Sequence, residues 1–137
     1  MKRATSPDFL LTVANHPRNA PYTGAAWADY DPRRWARTVA LEWPDGGVVF
    51  EQLKSGAYEA HWCFLPRAKD VVRKGREAIA YLFTHTDAQR VIGKTPTKFR
   101  HAVKAARAVG MRHLFDCRGV SHSELSRFQW KNDADIS

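Results

Sequence analysis

The segment from Tyr58 to Met111 constrains this chain most. A strand (YEAHWCFLP) passes through a short basic turn (RAKD) into a helix (VVRKGREAIAYLFTHT), then a short strand, a Pro-capped helix and a Gly stop. A strand–helix–strand unit needs a crossover, so the strands at 58–65 and 90–93 are expected to be parallel neighbours. A strand that runs straight into a helix also leaves backbone N–H groups and the positive end of the helix dipole at the joint. With Arg67 and Lys69 in the turn, the joint suits a phosphate-bearing ligand.

Upstream, Thr38–Trp43, Val48–Leu53 and Tyr58–Leu65 are separated by Pro-Asp-Gly-Gly and Lys-Ser-Gly-Ala. Both are turn signals at hairpin length, so three consecutive antiparallel strands are expected. Residues 8–15 (DFLLTVAN) form a short helix, capped by Asp8 or Ser6, with Phe9, Leu10 and Val13 on its apolar face. The His16-Pro17 and Ala20-Pro21 pairs end it. Residues 16–37 then form a loop, and Trp27, Tyr30 and Trp35 are expected to pin it to the core.

In the helix at 70–85, Val71, Val72, Gly75, Ile79, Leu82 and Phe83 share one face, and Arg73, Lys74, Arg76 and Glu77 take the other. Gly75 on the buried face costs about 1 kcal/mol relative to Ala, which close approach to the sheet would explain. In the next helix Thr97 is the candidate N-cap, Phe99, Ala102, Val103, Ala106 and Val109 form the apolar stripe, and Gly110 is the C′ stop. Residues 112–130 hold one or two final strands (HLFDC, then LSRFQW), and 131–137 read as a frayed tail. The sum is one α/β (α+β) domain over 1–137, a mixed, mostly antiparallel sheet flanked by helices.

At 44% apolar, with five Trp and seven Phe, 137 residues can bury a core, so disorder is excluded. Lys and Arg number 22 against 14 Asp and Glu, a net charge of +8 that favours polyanionic partners without choosing among them. Nucleic acid stays open, but the basic positions Lys94, Lys98, Arg100, Lys104 and Arg107 mostly follow one helix face without interleaved stacking aromatics. Cys63 falls in an apolar strand, where a buried thiol is usual, and two cysteines make no disulfide framework. The apolar run Phe9–Val13 is too short for a signal or membrane segment, so a cytoplasmic protein is expected. The histidines, including His113 near Asp116 and Cys117, and His122 near Glu124, have no established metal-ligand spacing, and no metal is expected.

This order of elements resembles the GNAT superfamily of acyl-CoA-dependent N-acetyltransferases over roughly residues 8–130. The carriers are Tyr58-Glu59-Ala60-His61, Leu65-Pro66-Arg67, Ala80-Tyr81-Leu82-Phe83, Arg90-Val91-Ile92-Gly93-Lys94-Thr95-Pro96, Ala102 and Gly110-Met111. Asn15–Arg18 (NHPR) also looks like a stretch common in small phage-encoded members. The resemblance implies that the strand ending at Leu65 splays from the strand at 90–93. Acyl-CoA would lie in that V with its pyrophosphate on the helix that begins at 70. Acetyl-CoA is thus the implied co-substrate, with an amine as acceptor. The residues expected around it are Phe64, Leu65, Arg67, Ala68, Lys69, Asp70, Val71, Phe99 and Arg100. A backbone N–H near Phe64 or Leu65 would polarise the thioester carbonyl.

Relatives also carry a general base on the 58–65 strand. Glu59 and His61 are two apart and share a face, so they are the catalytic candidates; the alternative is an edge carboxylate and a semi-buried structural histidine. The chain departs from the family pattern at three points. The turn Arg67-Ala68-Lys69-Asp70-Val71 lacks the usual glycine, with Asp70 expected to cap the helix. Phe99 stands where asparagine is expected, and Ala106 where a tyrosine would protonate the departing thiolate. Two readings follow: an N-acetyltransferase, or a catalytically inactive phage protein of the same fold, acting in virion structure or head assembly with phage structural proteins as partners.

Overall fold

The computed structural model describes residues 1–23 and 30–136, so Trp27 lies outside the described residues. In chain order the elements are β1 (Lys2–Arg3), α1 (Asp8–Ala14), α2 (Ala20–Thr23), α3 (Pro32–Trp35), β2 (Thr38–Trp43), β3 (Gly46–Lys54) and β4 (Ala57–Phe64). Then come α4 (Val71–His85), β5 (Arg90–Pro96), α5 (Arg100–Ala108), β6 (Arg112–Cys117), β7 (Val120–Ser126) and α6 (Arg127–Ile136).

Both expected hairpins form. β2 pairs β3 from Thr38↔Glu51 to Trp43↔Gly46, and β3 pairs β4 from Gly46↔Phe64 to Lys54↔Ala57. Gly46 has φ +140, and a Cβ there would sit 2.2 Å from the Cys63 carbonyl oxygen, so the first turn requires glycine. The strand order is β1-β2-β3-β4-β5-β7-β6, with β4 and β5 the parallel pair and the other pairs antiparallel.

Alternation along the strands sends side chains to two cores. Val39, Leu41, Val48, Phe50, Tyr58 and Ala60 pack with Ala78, Ile79, Leu82 and Phe83 of α4. Ala40, Val49 and Cys63 pack on the other face with Leu10, Val13 and Ala14 of α1, where Tyr30 and Trp35 join them as expected. Cys63 is fully buried, and burial pushes its thiol up to about 12, so it packs as an inert apolar group.

Gly75 meets the sheet as its position required: a Cβ there would come within 2.9 Å of the Trp62 ring of β4. Lys74 departs from its expected polar face. It is 8% exposed because its ammonium reaches Asp45 at the tip of the β2–β3 hairpin. α5 starts three residues later than Thr97, whose amide and hydroxyl bond the Gly119 carbonyl in the β6–β7 turn instead. Its end matches expectation: Gly110 has φ +103, its N–H bonds Arg107 O, and Met111 N–H bonds Ala106 O, a Schellman motif.

The C-terminal reading needs correction. Two final strands form as expected, but only Leu125 and Ser126 of LSRFQW are strand, as the end of β7, and α6 starts at Arg127. The cause is a capping box: Ser126 Oγ accepts from Gln129 N–H at 3.1 Å, and Gln129 Oε1 accepts from Ser126 N–H at 3.2 Å. The helix runs on to Ile136, through residues read from sequence as a tail. Trp130 packs on Phe83, ring centroids 5.3 Å apart. Among the described residues no helix is long and apolar enough to cross a membrane.

Candidate functional site

β4 and β5 are in register for only three pairs, Ala57↔Arg90, Tyr58↔Val91 and Glu59↔Ile92. Beyond these β5 follows β7 as far as Pro96↔Val120, while β4 follows β3 as far as Phe64↔Gly46. The two strands therefore part, and a cavity of about 540 Å³ opens between them. One wall is His61, Trp62 and Phe64 of β4, another is Lys94, Thr95 and Pro96 of β5, and a third is His101, Ala102 and Ala105 of α5 with Val109 just beyond its end. Leu65–Ala68 and Val71 close the end next to α4, where Arg18 and Asn19 also approach.

The turn from Leu65 to α4 has two left-handed residues, Arg67 at φ 69 and Asp70 at φ 58. The backbone thus adopts a conformation that favours glycine with no glycine present, and aspartate is among the residues that tolerate it best. Asp70 is the N-cap residue but makes no capping hydrogen bond, contrary to expectation. Its carboxylate is exposed and lies 3.7 Å from Arg73. Among the described residues no side chain caps the first amides of α4, and no acid stands in the first turn, so they keep the positive end of the helix dipole open.

Asp45 underpins this turn. Its carbonyl accepts from Leu65 N–H at 2.8 Å, and its Oδ2 lies 2.6 Å from Lys74 Nζ. Burial pulls the Asp45 carboxyl up, but the Lys74 hydrogen bond and charge, with backbone amides of Asp45 and Lys69, outweigh it and hold the pKa below the ordinary value.

Alternation also decides which amides face the opening. Leu65 N–H is committed to Asp45, which removes it as a carbonyl-polarising donor. Neighbouring amides along a strand point to opposite sides, so those of Phe64 and Trp62 turn toward β5. The Phe64 carbonyl accepts from Asn19 Nδ2 at 2.7 Å, which ties the segment after α1 to the cavity rim.

Glu59 and His61 share the α1 face of β4. His61 lines the cavity, while Glu59 is set beside it, its carboxylate 3.8 Å from His61 Nε2 and 3.8 Å from Lys94 Nζ on the opposite arm. Glu51 lies directly across from Glu59 in the β3–β4 register, and Arg34, with Nε 2.5 Å from Glu51, offsets the like charge. Burial drives the His61 pKa below its ordinary value, against the pull of the Glu59 and Glu51 carboxylates. The imidazole is therefore neutral near pH 7, with a lone pair able to accept a proton.

Of the residues expected around acetyl-CoA, Phe64, Leu65, Arg67, Ala68 and Val71 line the cavity. Lys69 and Asp70 sit in the turn behind it, while Phe99 and Arg100, at the start of α5, do not line it. Ala106 is buried in the core, so the cavity-facing position there is Ala105, again an alanine. Sequence reasoning missed Asn19, Trp62, Lys94 and His101. The 101/102/105/109 spacing of one helix face was the signal available for the last of these.

No protein-family model matches this chain, and no curated protein matches it in sequence. Solved structures match it in fold. The spermidine N-acetyltransferase of Vibrio cholerae, determined with CoA and spermine, superposes with a TM-score of 0.72 at 13% identity over 96% of each chain. The aminoglycoside N(6')-acetyltransferase of Legionella pneumophila gives 0.71 at 13% identity, over 96% of this chain and 94% of that one. A GNAT-family acetyltransferase from Bacillus anthracis gives 0.57 at 14% identity over 67% of each. This chain has a GNAT-like fold.

Proposed function

We propose that this protein is an N-acetyltransferase that binds acetyl-CoA in the V between β4 and β5 and transfers the acetyl group to an amine. The observation that carries the reading is the three-pair limit of the β4–β5 ladder, which opens a cavity next to an uncapped helix N-terminus. The pyrophosphate of CoA fits the first amides of α4, supported by Arg67, and the thioester arm fits between the strands.

In this reading His61 is the general base and Glu59 sets its charge and orientation. The amine nitrogen attacks the thioester carbonyl carbon, His61 takes the amine proton, and the Phe64 or Trp62 amide bonds the oxyanion. The C–S bond then breaks and the thiolate departs. A thiol with a pKa of about 8.5 is a tolerable leaving group near neutrality, so the proton can come from the imidazolium or from water.

Calorimetry tests the reading: acetyl-CoA should release heat that free CoA competes away, and silence at millimolar ligand rejects it. Silence would favour the other reading, a cytoplasmic or virion-associated phage protein that keeps the fold without the chemistry. The alanines at 105 and 106, which leave α5 without a phenol, are the observation on that side.

A further inference from the structure

We propose that Asp45, at the tip of the β2–β3 hairpin, is a positioning residue that holds both ends of the phosphate turn in its glycine-free, left-handed form. The inference rests on the acetyl-CoA reading of the cavity, but the structural relation does not. At the near end of the turn, Leu65 N–H donates to the Asp45 carbonyl at 2.8 Å. At the far end, the carboxylate takes the Lys74 ammonium at 2.6 Å, and Lys74 N–H bonds the carbonyl of the left-handed Asp70 at 2.9 Å.

A glycine-bearing turn adopts positive φ without steric cost, whereas Arg67 and Asp70 must be held there by their surroundings. Asp45 supplies that restraint from a rigid element, because the hairpin tip is fixed by six β2–β3 pairs and by Gly46 packed under the Cys63 carbonyl. The Lys74 side chain is 10% exposed, so the pair is shielded and its loss is felt locally. The clamp stands in for the flexibility the missing glycine would have given, and its effect reaches the ligand only through the pyrophosphate.

The test uses Asp45→Asn in the full chain, with two donors: acetyl-CoA and S-acetylpantetheine, which lacks the pyrophosphate. The variant should bind acetyl-CoA about ten-fold more weakly by calorimetry, while S-acetylpantetheine stays within about two-fold. In the unliganded variant, amide hydrogen exchange should accelerate at Lys74, whose N–H bonds the Asp70 carbonyl at the far end of the turn, and stay as in the wild type within β2–β4 and at Leu65, whose bond is to the Asp45 main chain. Equal weakening of both donors, or unchanged exchange at Lys74, overturns the clamp. Wild-type protein that binds neither donor rejects the acetyl-CoA reading instead, and the exchange result then decides the clamp alone. If Asp45→Asn fails to fold, Asp45→Asn/Lys74→Met, which leaves no unpaired buried charge, is read in the same way.

Discussion

His61 Nε2 lies 3.8 Å from Glu59 Oε2, two residues back on the same face of β4, and of the two only His61 reaches the cavity. The roles separate by mutation. His61→Gln should lower turnover by about 10²–10⁴-fold with acetyl-CoA affinity held. The Glu59 carboxylate raises the His61 pKa against burial, so Glu59→Gln should move the imidazole titration, followed by NMR, to lower pH. An upward move would remove Glu59 from this role, and loss of all turnover without any titration shift would make Glu59 itself the base.

The same histidine makes stability depend on pH. Its folded pKa lies below the ordinary 6.5, so the unfolded chain binds a proton that the folded state resists. The contribution is complete above about pH 6.5 and is lost as pH falls through the folded value. Between about pH 7 and pH 5 the wild type should therefore lose more thermal stability than His61→Gln. Parallel melting curves for the two proteins would contradict this.

Asp70 occupies a left-handed position with an exposed carboxylate and no cap bond. Asp70→Gly removes the steric cost and the negative charge next to the proposed phosphate site, so stability should change by less than about 1 kcal/mol and acetyl-CoA should bind more tightly. Asp70→Val should lose about 1–2 kcal/mol in urea denaturation. If Asp70→Gly weakens binding, the carboxylate serves the turn through Arg73.

Gly75→Ala sets helix propensity against space. Alanine favours the helix by about 1 kcal/mol, but its Cβ would press on the Trp62 ring and on Val109 Cγ1, both at 2.9 Å. The expected net loss is about 1–2 kcal/mol, with weaker acetyl-CoA binding because Trp62 and Val109 line the cavity. A stabilised variant would show that the ring moves aside freely.

Arg127 ties the start of α6 to the end of α4. Its guanidinium donates to the carbonyls of Phe83, Thr86 and Ala88 and lies over the Phe83 ring. Arg127→Ala should cost about 2–3 kcal/mol by chemical denaturation, since these carbonyls lose their shared donor. Arg127→Lys should recover less than half, because an ammonium cannot reproduce the planar fork. Full recovery would reduce the contact to its charge.

Local chemistry was enough to place many of the elements. Pro-Asp-Gly-Gly and Lys-Ser-Gly-Ala carry their own turn geometry, Gly110 ends α5 because φ +103 suits glycine, and apolar periodicity assigned the buried face of α4. The Ser126-Arg127-Phe128-Gln129 capping box is equally local, since Ser and Gln stand three apart, and it outweighs the strand propensity of the residues around it. What chain order could not convey was distance between remote residues. Lys74 looked like a solvated cation until the hairpin tip brought Asp45 beneath it, 29 positions away. The turn lacks glycine in sequence, yet Arg67 and Asp70 adopt left-handed conformations that local sterics alone disfavour, so their surroundings and not the local residues decide the backbone there. The cavity itself arises because, past three shared pairs, β4 stays with β3 while β5 stays with β7 on its other edge, a divergence of the two halves of the sheet that only the assembled sheet sets.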